Sequence, residues 1–162
     1  MSGLVPGFDD VSRSISLPVN PSQGQNPVPV MVLVDQTIVD RGKGDCHRAA
    51  VATMMQLPLE DVPDTHIWGK GWGIEQYNHW HERGWDFYYE PPERAHKSES
   101  PSGWVVATVP SRMYEGVTHS VVLDKDTLEL VHDPNPQARR KTVERDEIQV
   151  VLIAMRVGHE AS

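Results

Sequence analysis

The sequence predicts an α+β fold, a single domain over residues 28–162 behind an extended arm at residues 1–27. Three observations carry this. Helix-period apolar spacing is confined to the stretch from Asp45 to Gly84, strand-like runs fill the chain beyond it, and short clusters of Gly, Pro, Asp and Asn separate those runs. Helices first and strands second, without βαβ alternation, argue for an antiparallel sheet. At 162 residues the chain has room for one core of ordinary size.

Each element follows in order. Residues 1–27 are rich in Pro, Gly, Ser and Asn, with little periodicity, and read as an arm without chemistry. "VPVMVLVDQTIV" (28–39) is apolar and β-branched, a strand leading into the loop "DRGKG". Asp45 then stands as an N-cap before "CHRAAVATMMQL", whose Ala, Met and Leu fall at helical spacing until Pro58 stops the helix. "LEDVP" is a short turn. "GIEQYNHWHERG" reads as an amphipathic helix with Ile74, Tyr77, Trp80 and His81 on one side and Gly84 closing it. "WDFYYE", "WVVATVP", "THSVVLD", "LELVHDP" and "EIQVVLIAMRV" read as strands, and "PPERAHKSESPSG" as an exposed excursion. Trp68, Trp72, Trp80, Trp85 and Tyr88 are expected in the core and cleft wall.

Composition narrows the function classes. The net charge is −8 and no basic run is interleaved with aromatics, so the reading expects no nucleic-acid partner. The basic cluster "ARRKTVER" is balanced by Glu144, Asp146 and Glu147 and reads as a solvated loop. The longest apolar runs are too short to span a bilayer, and "MSGLVPGFDD" has neither a basic n-region nor an apolar h-region. A cytoplasmic protein without a membrane partner is expected. One cysteine cannot form an internal disulfide, which leaves the thiol free for chemistry.

That cysteine, Cys46, stands at the predicted start of a helix. There the unpaired N–H groups and the positive end of the macrodipole favour a thiolate, the reactive form of the side chain. The other requirement is an imidazole. His47 adjoins Cys46, but helix neighbours diverge by about 100°, and His66, His79, His81 and His96 have surface-type neighbours. His119 opens a strand, where a side chain can be presented at a cleft rim. Asp133 follows at the end of the next strand, before Pro134, and a hairpin between the two strands would bring its carboxylate within reach of the His119 ring. Such a carboxylate would set the tautomer and hold the imidazolium.

Cys at a helix start, His at the start of a later strand and Asp before a Pro at the end of the next resemble the papain-like cysteine peptidases. The arrangement of "DC", "H-x-VV" and "DP" is similar to that of the double-glycine leader peptidases. "VDQT…GDCHRAAVATMMQLPLEDVP…THSVVL…VHDPNP" resembles still more a group of small papain-like proteins found in phage and bacterial genomes, in separated blocks over about residues 33 to 136. The resemblance implies a glutamine upstream of the Cys whose amide helps form the oxyanion hole, and Gln36 in "VDQT" is the candidate. It stands ten positions before Cys46, so "DRGKG" makes a long connecting loop. His47 stands where the leader peptidases usually have Gly, so their glycine-adapted cleft need not carry over.

The combined expectation is a papain-like cysteine hydrolase acting on a peptide, isopeptide or related amide bond, with Cys46, His119, Asp133 and Gln36 as its catalytic residues and no cofactor. The same residues admit blander roles. A lone Cys among Ala and Met is more often a small buried hydrophobe, His119 could be a satisfied sheet histidine, Asp133 could cap a turn and Gln36 could solvate a strand end. Two rivals stand beside the hydrolase. One is a phage or mobile-element protein that uses the fold to bind a host protein. The other is deamidase or transglutaminase-type acyl transfer on the same site. A zinc site built on "HWHERG" is disfavoured, because His79 and His81 diverge on a helix and no Cys pair assists.

Overall fold

Strands that are apolar at nearly every position need cover on both faces, and that requirement organises the molecule. The computed structural model describes residues 31–39 and 44–159, together with the backbone of Arg13–Ile15. The rest of the arm predicted at 1–27, and most of "DRGKG", lie outside the described residues.

Strand β1 (Arg13–Ile15) pairs antiparallel with β2 (Val32–Val34) in a small two-stranded sheet. Helix α1 (Cys46–Met55) and helix α2 (Trp72–His81) follow. The remaining strands are β3 (Trp85–Glu90), β4 (Trp104–Pro110), β5 (Thr118–Asp124), β6 (Leu130–His132) and β7 (Val150–Arg156). They form one five-stranded antiparallel sheet in the order β3-β7-β4-β5-β6. The predicted α+β class and antiparallel sheet are therefore both present.

One face of the sheet, with Phe87, Val106, Val122, Leu152 and Ala154, packs beneath α1 and Trp80 of α2. The other face, with Val105, Val109, Val121, Leu123, Ile153 and Met155, is closed by Ala95 and Ile148. Ala95 belongs to a 3₁₀ turn at Pro92–Lys97, so "PPERAHKSESPSG" is not the exposed excursion its polarity suggests. Ser98 and Ser100 are buried as well, and Glu99 N donates to the Ala154 carbonyl at 2.7 Å, which stitches the segment to β7.

Helix α1 is buried along its whole length from Ala49 to Met55, sandwiched between the large sheet and β2. Its alanines let the backbone approach both neighbours closely. Thr53 Oγ1 accepts the Val34 N–H at 2.9 Å and donates to the Ala49 carbonyl, so even the polar side chain inside is satisfied. Gln56 ends the helix in the left-handed region, two residues before the expected stop at Pro58. The packing presents the N-terminus of α1, and hence Cys46, beside the start of β5.

Helix α2 departs from its predicted face. Gln76 and Trp80, one turn apart, are the buried pair, and Trp80 stacks on Phe87 at 4.9 Å between ring centroids. Ile74, Tyr77 and His81 face outward. The Trp80–Phe87 stack fixes the rotation of the helix, and it overrides the simple apolar count. Gly84 does close the segment: with φ of 91° it bends the chain into β3, and its N–H bonds to the His81 carbonyl at 3.0 Å.

Candidate active site

Cys46 is the first residue of α1, where backbone N–H groups have no partner within the helix. Burial pushes its thiol pKa up. Hydrogen bonding to His119 and the imidazolium charge act against burial, the Ser120 backbone and hydroxyl add to them, and the balance lies below the ordinary thiol value. The site thus favours the thiolate through named neighbours. Ser120 went unforeseen, although its place next to His119 at the head of β5 was a usable signal.

The histidine is oriented from behind. His119 Nε2 donates to Asp133 Oδ1 at 2.7 Å, which leaves Nδ1 as the ring nitrogen for the thiol. Burial alone would lower the pKa of this imidazole. The bond to Asp133 and the Cys46 thiolate outweigh that and raise it to about 9. Asp133 is buried, which raises its pKa, but the His119 bond and the N–H groups of Asn135 and Arg140, at 3.0 and 2.9 Å, hold it below the usual carboxylate range. Asp133 both caps the turn and holds the His119 ring, because Oδ1 accepts from His119 and Asn135 while Oδ2 accepts from Arg140.

The β5–β6 hairpin brings these residues together. Val122 pairs with His132 across it, so the beginning of β5 lies beside the chain that leaves β6. A second network braces that exit. Arg139 forms a two-pronged ion pair with Asp35 at 2.7 and 2.6 Å and donates to the Asp133 carbonyl at 2.9 Å, while His132 Nε2 lies 2.9 Å from Asp35. Arg140 is buried against Glu147 and the Pro110 carbonyl. "ARRKTVER" is therefore not simply a solvated loop: its first two arginines shape the site from below.

Gln36 lies buried on the same cleft, its N–H bonded to the Pro134 carbonyl at 2.9 Å. Its Nε2 donates to the Ile38 carbonyl at 2.8 Å, and Oε1 is buried without a partner among the described residues. Exchanging the two amide atoms would set oxygen against oxygen at Ile38, so the assignment stands. Nε2 carries a second hydrogen, and Gln36 is among the residues lining the cleft.

Asp45 does not cap α1. Its carboxylate turns instead to Thr37 and Ile38, accepting the two backbone N–H groups at 2.9 and 2.8 Å and the Thr37 hydroxyl at 2.7 Å. The Ile38 carbonyl in turn accepts both Gln36 Nε2 and Asp45 N. A capping residue by composition has become a clamp, because the chain it holds must pass directly in front of the helix start.

The site opens into a cleft of about 960 Å³. On the α2 side it is walled by His47, His66, Trp72 and Tyr89, and on the other by the segment from Ser111 to Val117. His47 points away from the thiol, as expected from helix geometry, and donates from Nε2 to Gln76 Oε1 at 2.6 Å. His66, placed among surface histidines on sequence grounds, lines the cleft and bonds the Gly44 carbonyl at 3.0 Å. Among the described residues no group of three His, Cys, Asp or Glu side chains is placed to hold a metal ion, and no helix is long and apolar enough to cross a membrane.

Comparisons were made against family models, curated proteins and solved structures. None of the three finds a match. The function must be argued from the site itself.

Proposed function

We propose that the chain is a cysteine hydrolase of papain-like type that cleaves a peptide, isopeptide or related amide bond. The observation that carries this reading is the line from Cys46 through His119 to Asp133, in which every proton has a place to go.

In the free enzyme the proton rests on His119 and the sulfur is a thiolate, consistent with the lowered thiol and the raised imidazole. The thiolate attacks the amide carbonyl carbon, and the C=O electron pair moves onto oxygen. The Cys46 backbone N–H and the free Gln36 Nε2 hydrogen receive that oxyanion, acting on charge that develops only as the bond forms. His119 gives its proton to the leaving nitrogen, the C–N bond breaks and a thioester remains. A water then loses a proton to His119 and its oxygen attacks the thioester carbonyl; the C–S bond breaks, the acid is released and the starting pair of Cys46 thiolate and His119 imidazolium is restored. Asp133 keeps the ring oriented throughout and stabilises its charged form.

The test measures the iodoacetamide reaction of Cys46 from pH 5 to 9 and turnover on a panel of unfolded proteins, isopeptides and side-chain amides. Fast alkylation well below the ordinary thiol pKa, with hydrolysis abolished by Cys46→Ala, is expected. A thiol that reacts only near its ordinary pKa, with no turnover on any substrate, would favour a binding role for the fold. Amide loss without chain cleavage would move the assignment to deamidation.

A further inference from the structure

His47 is a cleft residue that the hydrolytic steps do not use. It follows Cys46 in the first turn of α1 and lines the same cleft. Trp72 and Gln76, one turn apart on α2, hold its ring: the Trp72 ring lies 5.5 Å away between centroids, and the buried Gln76 Oε1 is bonded to Nε2 at 2.6 Å. Gln76 Nε2 is spent on the Tyr89 hydroxyl at 3.2 Å, so the amide turns its oxygen to His47 and the imidazole keeps its hydrogen on Nε2.

That hydrogen decides what the other nitrogen can do. Nδ1 has no hydrogen-bond partner among the described residues, and it is not one of their enclosed polar atoms, so it is open to the cleft that the residue lines. The ring is also uncharged at neutral pH. Burial lowers its pKa most, the Gln76 bond acts against burial, the nearby His66 lowers it again, and the balance lies below the ordinary histidine value. The positive end of the α1 dipole acts in the same sense. A neutral ring with a bare Nδ1 can only accept there: it takes a hydrogen bond and offers nothing to a carbonyl or a carboxylate.

We infer that His47 Nδ1 accepts a main-chain N–H of a polypeptide substrate laid in the cleft, which makes His47 a specificity-determining residue one position from the nucleophile. The inference rests on the hydrolase reading for the class of substrate. The donor follows from that class, since a main-chain N–H is what a polypeptide carries at every residue except proline. Proline, or an ester in place of the amide, supplies no hydrogen at that register and should be bound less tightly.

The experiment reads binding and the ring itself, so it stays informative even if Cys46 proves inert. The full chain carrying Cys46→Ala and isotope-labelled histidine is titrated by NMR with an acetyl-capped penta-alanine amide, and with variants of it in which one amide N–H at a time is replaced by an ester oxygen. In the free chain His47 should show hydrogen on Nε2 and none on Nδ1, and the peptide should move the Nδ1 resonance. One ester should bind about fivefold or more weaker than the parent, the loss of one hydrogen bond to a committed acceptor. In His47→Phe, which keeps an aromatic ring against Trp72, that penalty should vanish. Hydrogen on Nδ1 in the free chain, an unmoved Nδ1 resonance at millimolar peptide, no ester penalty at any position, or a penalty that survives His47→Phe would each overturn the proposal. The tautomer is read on the native His47 ring, so the test does not depend on how well His47→Phe folds.

Discussion

Asp45 holds Thr37 by both carboxylate oxygens, at 2.9 Å to the backbone N–H and 2.7 Å to the hydroxyl, although the two residues are eight positions apart. This contact ties the candidate oxyanion donor to the candidate nucleophile. Gln36 precedes Thr37 and Cys46 follows Asp45, so a single buried side chain sets the spacing between the two groups that the proposed mechanism brings to one carbonyl. The ten positions between Gln36 and Cys46 are thus bridged by direct bonds from Asp45 to Thr37 and Ile38.

Asp45→Ala should therefore damage turnover more than thiol reactivity. The two backbone N–H groups of Thr37 and Ile38 would lose their acceptor, at a stability cost on the order of 2–4 kcal/mol. Turnover should fall by on the order of a hundredfold as the Gln36 loop drifts. Iodoacetamide rates at neutral pH should change by less than about threefold, because the His119 contact and the helix start remain. Urea unfolding, turnover and alkylation measured on one preparation separate the effects. Full turnover in a destabilised variant would show that Asp45 serves the fold alone.

Gln36 and His119 should fail in different ways. Gln36→Ala removes a donor to charge that exists only in the transition state, so turnover drops by on the order of a hundredfold or more while Cys46 alkylation stays near normal. His119→Ala removes both the proton acceptor and the neighbouring cation. Turnover is lost, and the alkylation profile shifts toward that of an ordinary thiol. If Gln36→Ala keeps full turnover, another donor occupies the oxyanion position.

The reach of sequence reasoning follows the range of the interactions. Strands β3 to β7 were legible because their apolar runs and turn residues are local signals, and the approach of Asp133 to His119 followed from one hairpin. The exposed side of α2 was misjudged, since a long-range stack of Trp80 on Phe87 decides its rotation. Asp45 as a clamp and Arg139 as a brace on Asp35 could not be read at all: Asp35 and Arg139 are 104 positions apart, and each residue alone has an ordinary local role. His66 was hidden for the same reason, with the carbonyl it bonds 22 positions away.

Asp133→Asn isolates the charge of the orienting residue from its shape. The amide oxygen can still accept from His119 and Asn135, but its NH₂ group then faces the Arg140 N–H that Asp133 Oδ2 accepts. That buried clash should cost on the order of 1–3 kcal/mol in unfolding free energy. Without the carboxylate the imidazolium loses a principal support, and its pKa should fall from about 9 toward or below the ordinary histidine value. Titration of the His119 ring by NMR in both forms measures the shift directly. An unchanged pKa would mean that Cys46 alone sustains the charge.

The pH dependence of the native chain follows from the same pair, and its two limbs have different owners. Attack requires the thiolate, so kcat/KM should rise as pH climbs through the lowered Cys46 pKa. Departure of the amine requires the imidazolium, which is lost as pH rises through about 9, so kcat/KM should fall there. Alkylation needs the thiolate alone. Its rate should rise with the same acid limb and then level off, with no fall above pH 9. Comparing the two profiles tests the assignment, because only a proton donated to the leaving group makes them diverge on the alkaline side. In Asp133→Asn the alkaline limb of turnover should move to lower pH as the imidazole loses its carboxylate partner. Parallel profiles with a shared alkaline fall would instead indicate loss of the fold around the site, which circular dichroism over the same pH range would register.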